Sequence, residues 1–337
     1  MSITQVPASR MINYDTGSFC FRNKIINGDM RIDQRNAGAA ATIAANAVSY
    51  IVDRFFVFSG TNSSTAQRVS TSNANLPFAL RATAGSNVTQ INIGQRLESS
   101  NIYDLIGQTV TLSFYASSPT VTTLGLYIYT PNSADNYGAG TTSFFINNNN
   151  FNISNTLTRY TYTFVMPAAA ANGLGVEVYT SVAPSYLPVG TNLQITGVQL
   201  EAGPTATPFE YRPIGTELAL CQRYFETNYP LGVAVGTSNT GLGGVWTSNV
   251  PAVGLYLTHP VLSFIVPKRA VPIMTGYNPQ TQSVNAGAFW SDATGGVADG
   301  QIQFYNTGQQ STLVKSSTTM GTANNYHHMR YTADAEL

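Results

Sequence analysis

Asp104 to Ala116 reads DLIGQTVTLSFYA, and the fold class turns on how its second half is arranged. Val110, Leu112 and Phe114 alternate there with Thr109, Thr111 and Ser113. Successive side chains on a strand point to opposite faces, so this period of two marks a strand with one side in a core. Leu124 to Tyr129 repeats the pattern, and Arg159 to Val165, RYTYTFV, sets Tyr160, Tyr162 and Phe164 against Thr161, Thr163 and Val165. Gly175 to Tyr179 and Leu193 to Leu200 continue the series, with Gly, Pro or Asn clusters between runs. Short alternating strands punctuated in this way predict an antiparallel β-sandwich.

Two stretches have the composition of loops: Ala37 to Ala47, rich in Ala, and Asn147 to Asn150, whose side chains suit turn positions. One helix is expected, over Thr216 to Glu226. Thr216 would be its N-cap, Glu217 lies in its first turn, and Leu218, Cys221 and Phe225 form one apolar stripe. A helix this short is marginal alone in water, so the stripe is expected to pack between domains or subunits. Beyond it, Leu231 to Val235, Gly254 to Leu257, Val261 to Val266, Ile273 to Tyr277, Ile302 to Asn306 and Tyr326 to Thr332 read as strands of a second β domain. The fold class expected is therefore all-β: two β-sandwich domains joined by one short helix. The boundaries are an N-terminal arm 1–20, a first domain 21–213, a connector 214–228 and a second domain 229–337.

Composition narrows the function. The 337 residues suffice for two domains with real cores. Charged residues are only 9%, against about 25% in ordinary globular domains, while 43% are hydrophobic and the net charge is zero. Disorder is excluded by that hydrophobic content. Lys24, Lys268 and Lys315 are the only lysines, and no basic cluster follows a phosphate backbone, which argues against a nucleic-acid partner. No apolar run approaches the roughly 20 residues that span a bilayer, and MSITQVPASRM lacks the basic and apolar regions of an export signal. Cys20 and Cys221 form neither a disulfide framework nor a CxxC pair.

Three segments carry a family resemblance: NKIINGDMRIDQRN (Asn23 to Asn36), Val52-Asp53-Arg54-Phe55-Phe56, and TGVQLEAGPTATPFEYRPIGTELALCQRYFE (Thr196 to Glu226). Together they resemble phage virion proteins, the tail-fibre and other appendage subunits often built on jelly rolls like those of carbohydrate-binding modules. The resemblance covers residues 21 to 228, and more loosely Val266 to Pro279 and the terminal YTADAEL. It implies a particle component assembled in the host cytoplasm and located on the virion. The partners it implies are other virion proteins, sister subunits in a homotrimer, and host-surface polysaccharide.

Catalytic arrangements fail on inventory. His259, His327 and His328 include one adjacent pair, which a strand would point to opposite faces, and no HExxH, GxSxG or P-loop pattern occurs. A glycan depolymerase would need two carboxyl groups about 5 to 9.5 Å apart. Glu201 and Glu210 are the pair to consider, but each is better read as partnered by Arg212, Arg223 or backbone N–H groups. Arg31, Arg35 and Arg54 are expected to pair with Asp29, Asp33 and Asp53. Asp29 and Asp33 could instead join backbone carbonyls around calcium. No catalytic residue, cofactor or metal ligand is therefore assigned. Candidate ligand contacts are Trp246 and Trp290, in the Gly/Ser/Thr-rich segments GGVWTSN and GAFWSDATGG, where a loop indole offers a flat apolar face to a sugar ring. The reading is a tail fibre or tail-attached appendage that adheres to host glycan. The alternatives are a head decoration or tail adaptor with a mechanical role and, third, a depolymerase.

Overall fold

The computed structural model describes residues 21–181, 186–238, 246–249, 261–290, 297–316 and 326–337. The expected arm 1–20, with Cys20, lies outside the described residues, as does the strand expected at Gly254 to Leu257.

The first unit is a sandwich of two antiparallel sheets. One sheet holds β1 (Ala41–Ile43), β4 (Ser64–Ser70), β5 (Phe78–Ala84), β12 (Asn192–Ala202), β7 (Thr109–Ser117) and β10 (Thr158–Val165), in that order. The other holds β2 (Ala47–Val52), β3 (Phe55–Ser59), β6 (Gln90–Leu97), β11 (Leu174–Ser181), β8 (Thr123–Pro131) and β9 (Thr141–Asn152). From β5 to β12 the chain passes from sheet to sheet at each step except the β8–β9 hairpin. The resulting layers, β5-β12-β7-β10 over β6-β11-β8-β9, are the double Greek key of a jelly roll. β1 and β4 widen the first sheet, and β2 and β3 the second.

The alternation read in the sequence fills the space between the sheets. Val110, Leu112 and Phe114 meet Ile91, Ile93, Leu124, Leu126, Ile128, Val176 and Val178, all buried in one core. The Asn147 to Asn150 run is not a loop but part of β9, paired to β8 through Leu126↔Asn147, with irregular register on either side. Ladder hydrogen bonds from a long neighbouring strand outweigh the turn preference of asparagine. β1 likewise forms inside the Ala-rich stretch, paired Ala41↔Ala66.

The helix begins earlier and ends sooner than expected, spanning Ile214–Gln222, with Pro213 at the N-cap position and Thr216 inside. It stops because Phe225–Thr227 becomes β13, paired with the end of β20 (Tyr326–Asp334) through Phe225↔Asp334. β20 organises the second unit: besides β13 it pairs with β14 (Trp246–Asn249), β16 (Ile273–Tyr277) and β17 (Ala286–Trp290). From β17 the sheet continues through β18 (Val297–Tyr305) and β19 (Ser311–Ser316) to β15 (Leu262–Ser263). Leu262, Phe264, Ile302, Val314, Met329, Tyr331 and Ala333 form its core. Leu231 to Val235 is a turn region, not a strand. The all-β class holds throughout the described residues.

Candidate binding face

Trp246 and Trp290 are on strands rather than loops. Trp246 opens β14 opposite Met329, and Trp290 closes β17 opposite Tyr326 and Val297. Their side chains lie outside the described residues. Cys221 and Phe225 are buried and Leu218 is half-buried. Cys221 and Leu218 pack with Ile26, Ile32, Tyr224 and Leu337, so the helix sits against the N-terminal motif and the chain's last residue.

The carboxylates singled out in the sequence are tied to local backbone. Glu201 accepts from the Thr207 N–H (2.8 Å), the Thr207 hydroxyl (2.6 Å) and the Gln199 amide (2.8 Å). Glu210 accepts from the N–H groups of Arg22 (3.2 Å) and Asn23 (2.8 Å). Asp29 pairs with Arg31, while Asp33 caps the N–H groups of Asn36 and Gly38. The other two expected pairings are replaced. Arg35 reaches Asp334 (2.8 Å) and Glu336 (3.2 Å), Arg54 pairs with Glu336, and Asp53 takes the side-chain and backbone N–H groups of Gln34. Among the described residues no group of three or more His, Cys, Asp or Glu is placed to hold a metal, and no helix is long and apolar enough to cross a membrane.

The arrangement with the most binding chemistry lies on the outward face of the β2-β3-β6-β11-β8-β9 sheet. With Ile91, Ile93, Val176, Val178, Leu126 and Ile128 facing the core, alternation sends Asn92, Gly94, Arg96, Gly175, Glu177, Tyr179, Tyr127 and Tyr129 outward. The register aligns them in cross-strand rows. One runs Phe56, Gly94, Glu177, Tyr127; the next runs Phe58, Asn92, Tyr179, Gly125; a third runs Arg96, Gly175, Tyr129. Glycine is required in two rows. A Cβ on Gly175 would lie 2.2 Å from the Tyr129 ring, and one on Gly94 would lie 2.6 Å from Glu177 Cγ. The glycines thus let the tyrosine ring and the glutamate stem lie down on the sheet.

A polar spine crosses this floor. Gln90 donates to Asn92 (2.7 Å), and Asn92 Nδ2 donates to Glu177 Oε2 (2.5 Å). Tyr127 and Tyr129 stack at 4.7 Å, and Tyr129 meets Tyr137 edge-on. Glu177 is 7% exposed and among the described residues has no ion pair within 4 Å. Burial raises its pKa above the ordinary carboxylate range, against hydrogen bonds from Asn92 and Tyr129 and the field of Arg96. The Arg96 guanidinium lies 5.1 Å from both the Phe56 and Tyr137 ring centroids and donates to the Leu337 carbonyl (2.6 Å). On this face Tyr127 and Arg96 are partly exposed while Tyr129, Tyr179, Asn92 and Glu177 are buried, so the flat apolar surface offered to a polyhydroxylated ring is that of Tyr127. Sequence reasoning passed over this face. The signal was present in LGLYIYT and LGVEVYTS, where the positions opposite the core carry Gly, Tyr and Glu instead of Thr and Ser.

No protein-family model matches this chain, nor does any curated protein. Among solved structures, the enzymatically active domain of tailspike protein 4 of bacteriophage CBA120 is similar at 14% identity and TM-score 0.33, over 54% of this chain and 22% of that one. A putative sugar-binding protein from Bacteroides thetaiotaomicron is similar at 15% identity and TM-score 0.34, over 54% of this chain and all of that one. A carbohydrate-binding module solved with β-1,4-galactotriose is similar at 10% identity and TM-score 0.30, over 54% and 99%.

Proposed function

We propose that the protein is a structural subunit of a bacteriophage particle, a tail fibre or tail-attached appendage, whose jelly roll adheres to host-surface glycan. The observation that carries the adhesive role is the outward sheet face, where Glu177 and Asn92 lie among Tyr127, Tyr129 and Tyr179 on a floor opened by glycines. The particle role is supported by the resemblance of residues 21 to 228 to phage appendage subunits. The half-exposed Tyr127 ring would stack on a sugar face, with the buried Tyr129 and Tyr179 rings and the Asn92–Glu177 pair supporting it from beneath. Single sites of this kind are weak, and linking them in a homotrimer would raise avidity by about 10² to 10⁴ fold. Trp246 and Trp290 would add contacts from the second unit, and residues 1–20 would anchor the subunit to virion neighbours.

The test is adsorption of the assembled protein to host cells. Tyr127→Ala, at a half-exposed position, should weaken adsorption while leaving the circular dichroism spectrum intact, and no oligosaccharide should be released from purified host polysaccharide. Released product that disappears in Glu201→Gln or Glu210→Gln would replace adhesion with hydrolysis. A mechanical role, as head decoration or tail adaptor, is favoured instead by the buried ion pairs that lock the two units together. It predicts unchanged adsorption for Tyr127→Ala, Trp246→Ala and Trp290→Ala, with loss of virion incorporation when residues 1–20 are deleted.

A further inference from the structure

We infer that the protein carries a second binding face, on the sheet opposite the tyrosines, where Arg81 takes an acid group of a host-surface polysaccharide; the class of partner rests on the adhesive reading above. With Ala66, Ala82 and Leu193 turned to the core, alternation sends the positions between them outward. The register sets these in two parallel rows across β4, β5 and β12. One runs Gln67, Arg81, Gln194, and the other runs Thr65, Thr83, Asn192. All six are half-buried or exposed, so a ligand in solution reaches them.

Arg81 is set apart by what it lacks. Among the described residues its side chain makes no hydrogen bond, ion pair or ring contact. Other cations of the chain are held: Lys24 by Asp104, Arg31 by Asp29, Arg223 by Glu98 and Lys268 by Glu226. The sheet itself supplies Arg81 with no carboxylate. Of its six strands only β12 carries an acid, Glu201, and that one is occupied by Thr207 and Gln199. A guanidinium presents its N–H donors in a planar fork that matches a carboxylate, sulfate or phosphate through two parallel bonds. The amides of Gln67 and Gln194 flank it, and with the threonine hydroxyls they both donate and accept, as sugar hydroxyls require. Neighbouring strands lie about 4.8 Å apart, so each row repeats its polar groups at close to the length of one sugar residue. Neither row has a large apolar side chain to anchor a protein surface, which favours a polysaccharide as the occupant.

The experiment is biolayer interferometry of the full-length protein against immobilised polygalacturonate, dextran sulfate and, as the uncharged control, dextran. Arg81→Gln should weaken binding to at least one acidic polymer about tenfold, as for loss of one charge-assisted hydrogen bond, and should leave the dextran response unchanged. Whichever acidic polymer loses more names the acid group. Arg81→Lys keeps the charge without the fork and should restore only part of the loss. Arg81 has no partner to leave behind, so both variants should keep the circular dichroism spectrum of the parent. Lys24→Gln removes the same charge away from this face, and Tyr127→Ala alters the opposite sheet; neither should change binding to the acidic polymers. Absence of binding to both acidic polymers, or an equal loss in Lys24→Gln and Arg81→Gln, overturns the inference. A loss in Tyr127→Ala with none in Arg81→Gln places the acid group on the tyrosine face, which overturns the second site and leaves adhesion standing. Arg81-dependent binding together with normal cell adsorption of Tyr127→Ala supports the second site and overturns the tyrosine face instead.

Discussion

Asp53 lies fully buried at the tip of the β2–β3 turn, beside Arg54, whose φ of 72° is left-handed and held there by its ring and carboxylate partners. Desolvation pushes the Asp53 carboxyl up to about 7, against the pull of Arg35 and the hydrogen bonds of Gln34. Since its folded pKa exceeds the unfolded one, the folded protein keeps a proton that the unfolded chain releases between about pH 4 and 7, and stability falls as pH rises through that window. Denaturant midpoints between pH 4 and 8 should show this decline, and Asp53→Asn should flatten it; an unchanged slope would rule Asp53 out as its source. Gly175 makes a second residue-level prediction. Gly175→Ala must displace the Tyr129 ring, so it should cost about 1–3 kcal/mol of stability and weaken glycan retention together. Local pairings such as Arg31 with Asp29 were legible in the sequence, because their partners are two residues apart. Arg35 with Asp334 and Arg54 with Glu336 were not, since 299 and 282 residues separate them and only the fold brings them together.

Strand positions could be read wherever apolar and polar residues alternate, as in β7, β8, β10 and β11, and were missed wherever pairing with a neighbour, not side-chain pattern, makes the strand, as in β1 and β9. The helix shows the same limit at its ends. Its apolar stripe predicted burial against something but not that β20 would draw Phe225 into a sheet, cutting the helix at Gln222. Phe225 is nearly inaccessible and lies 3.7 Å beneath the Arg35 guanidinium, whereas Leu218 is half-buried. Phe225→Ala should therefore cost about 3–5 kcal/mol in thermal or chemical unfolding, and Leu218→Ala less than about 2 kcal/mol. Equal costs would mean that the helix, not the strand that follows it, carries the packing at this joint.

At the scale of the molecule, the family-like segments turn out to be the joint between the two units. Asn27 donates to the carbonyls of Ile32 and Asp53, Gln34 to that of Phe225, and Arg212 pairs with the helix's Glu217. Arg223 at the helix end pairs with Glu98, and Lys268 of the second unit is fully buried on Glu226. A chain with only 9% charged residues thus places much of its charge in one buried cluster. The sequence displayed the motif residues but not this role, because buried polar residues look like surface ones until their partners are known. Removing one partner of a buried pair costs about 3–5 kcal/mol, since the other charge is left unpaired. Glu336 partners both Arg35 and Arg54, so Glu336→Ala should reach that range and should act on how the units unfold, not only on when. Calorimetry of the unmodified protein should show one transition, because β13, the helix and the last three residues hold the jelly roll and the β20 sheet to a common fate. Glu336→Ala should split it, with the second unit melting first, its core of Leu262, Phe264, Val314 and Met329 being far smaller than that of the sandwich. Two transitions in the unmodified protein would mean that the units fold independently and that the charged joint positions them without coupling their stability.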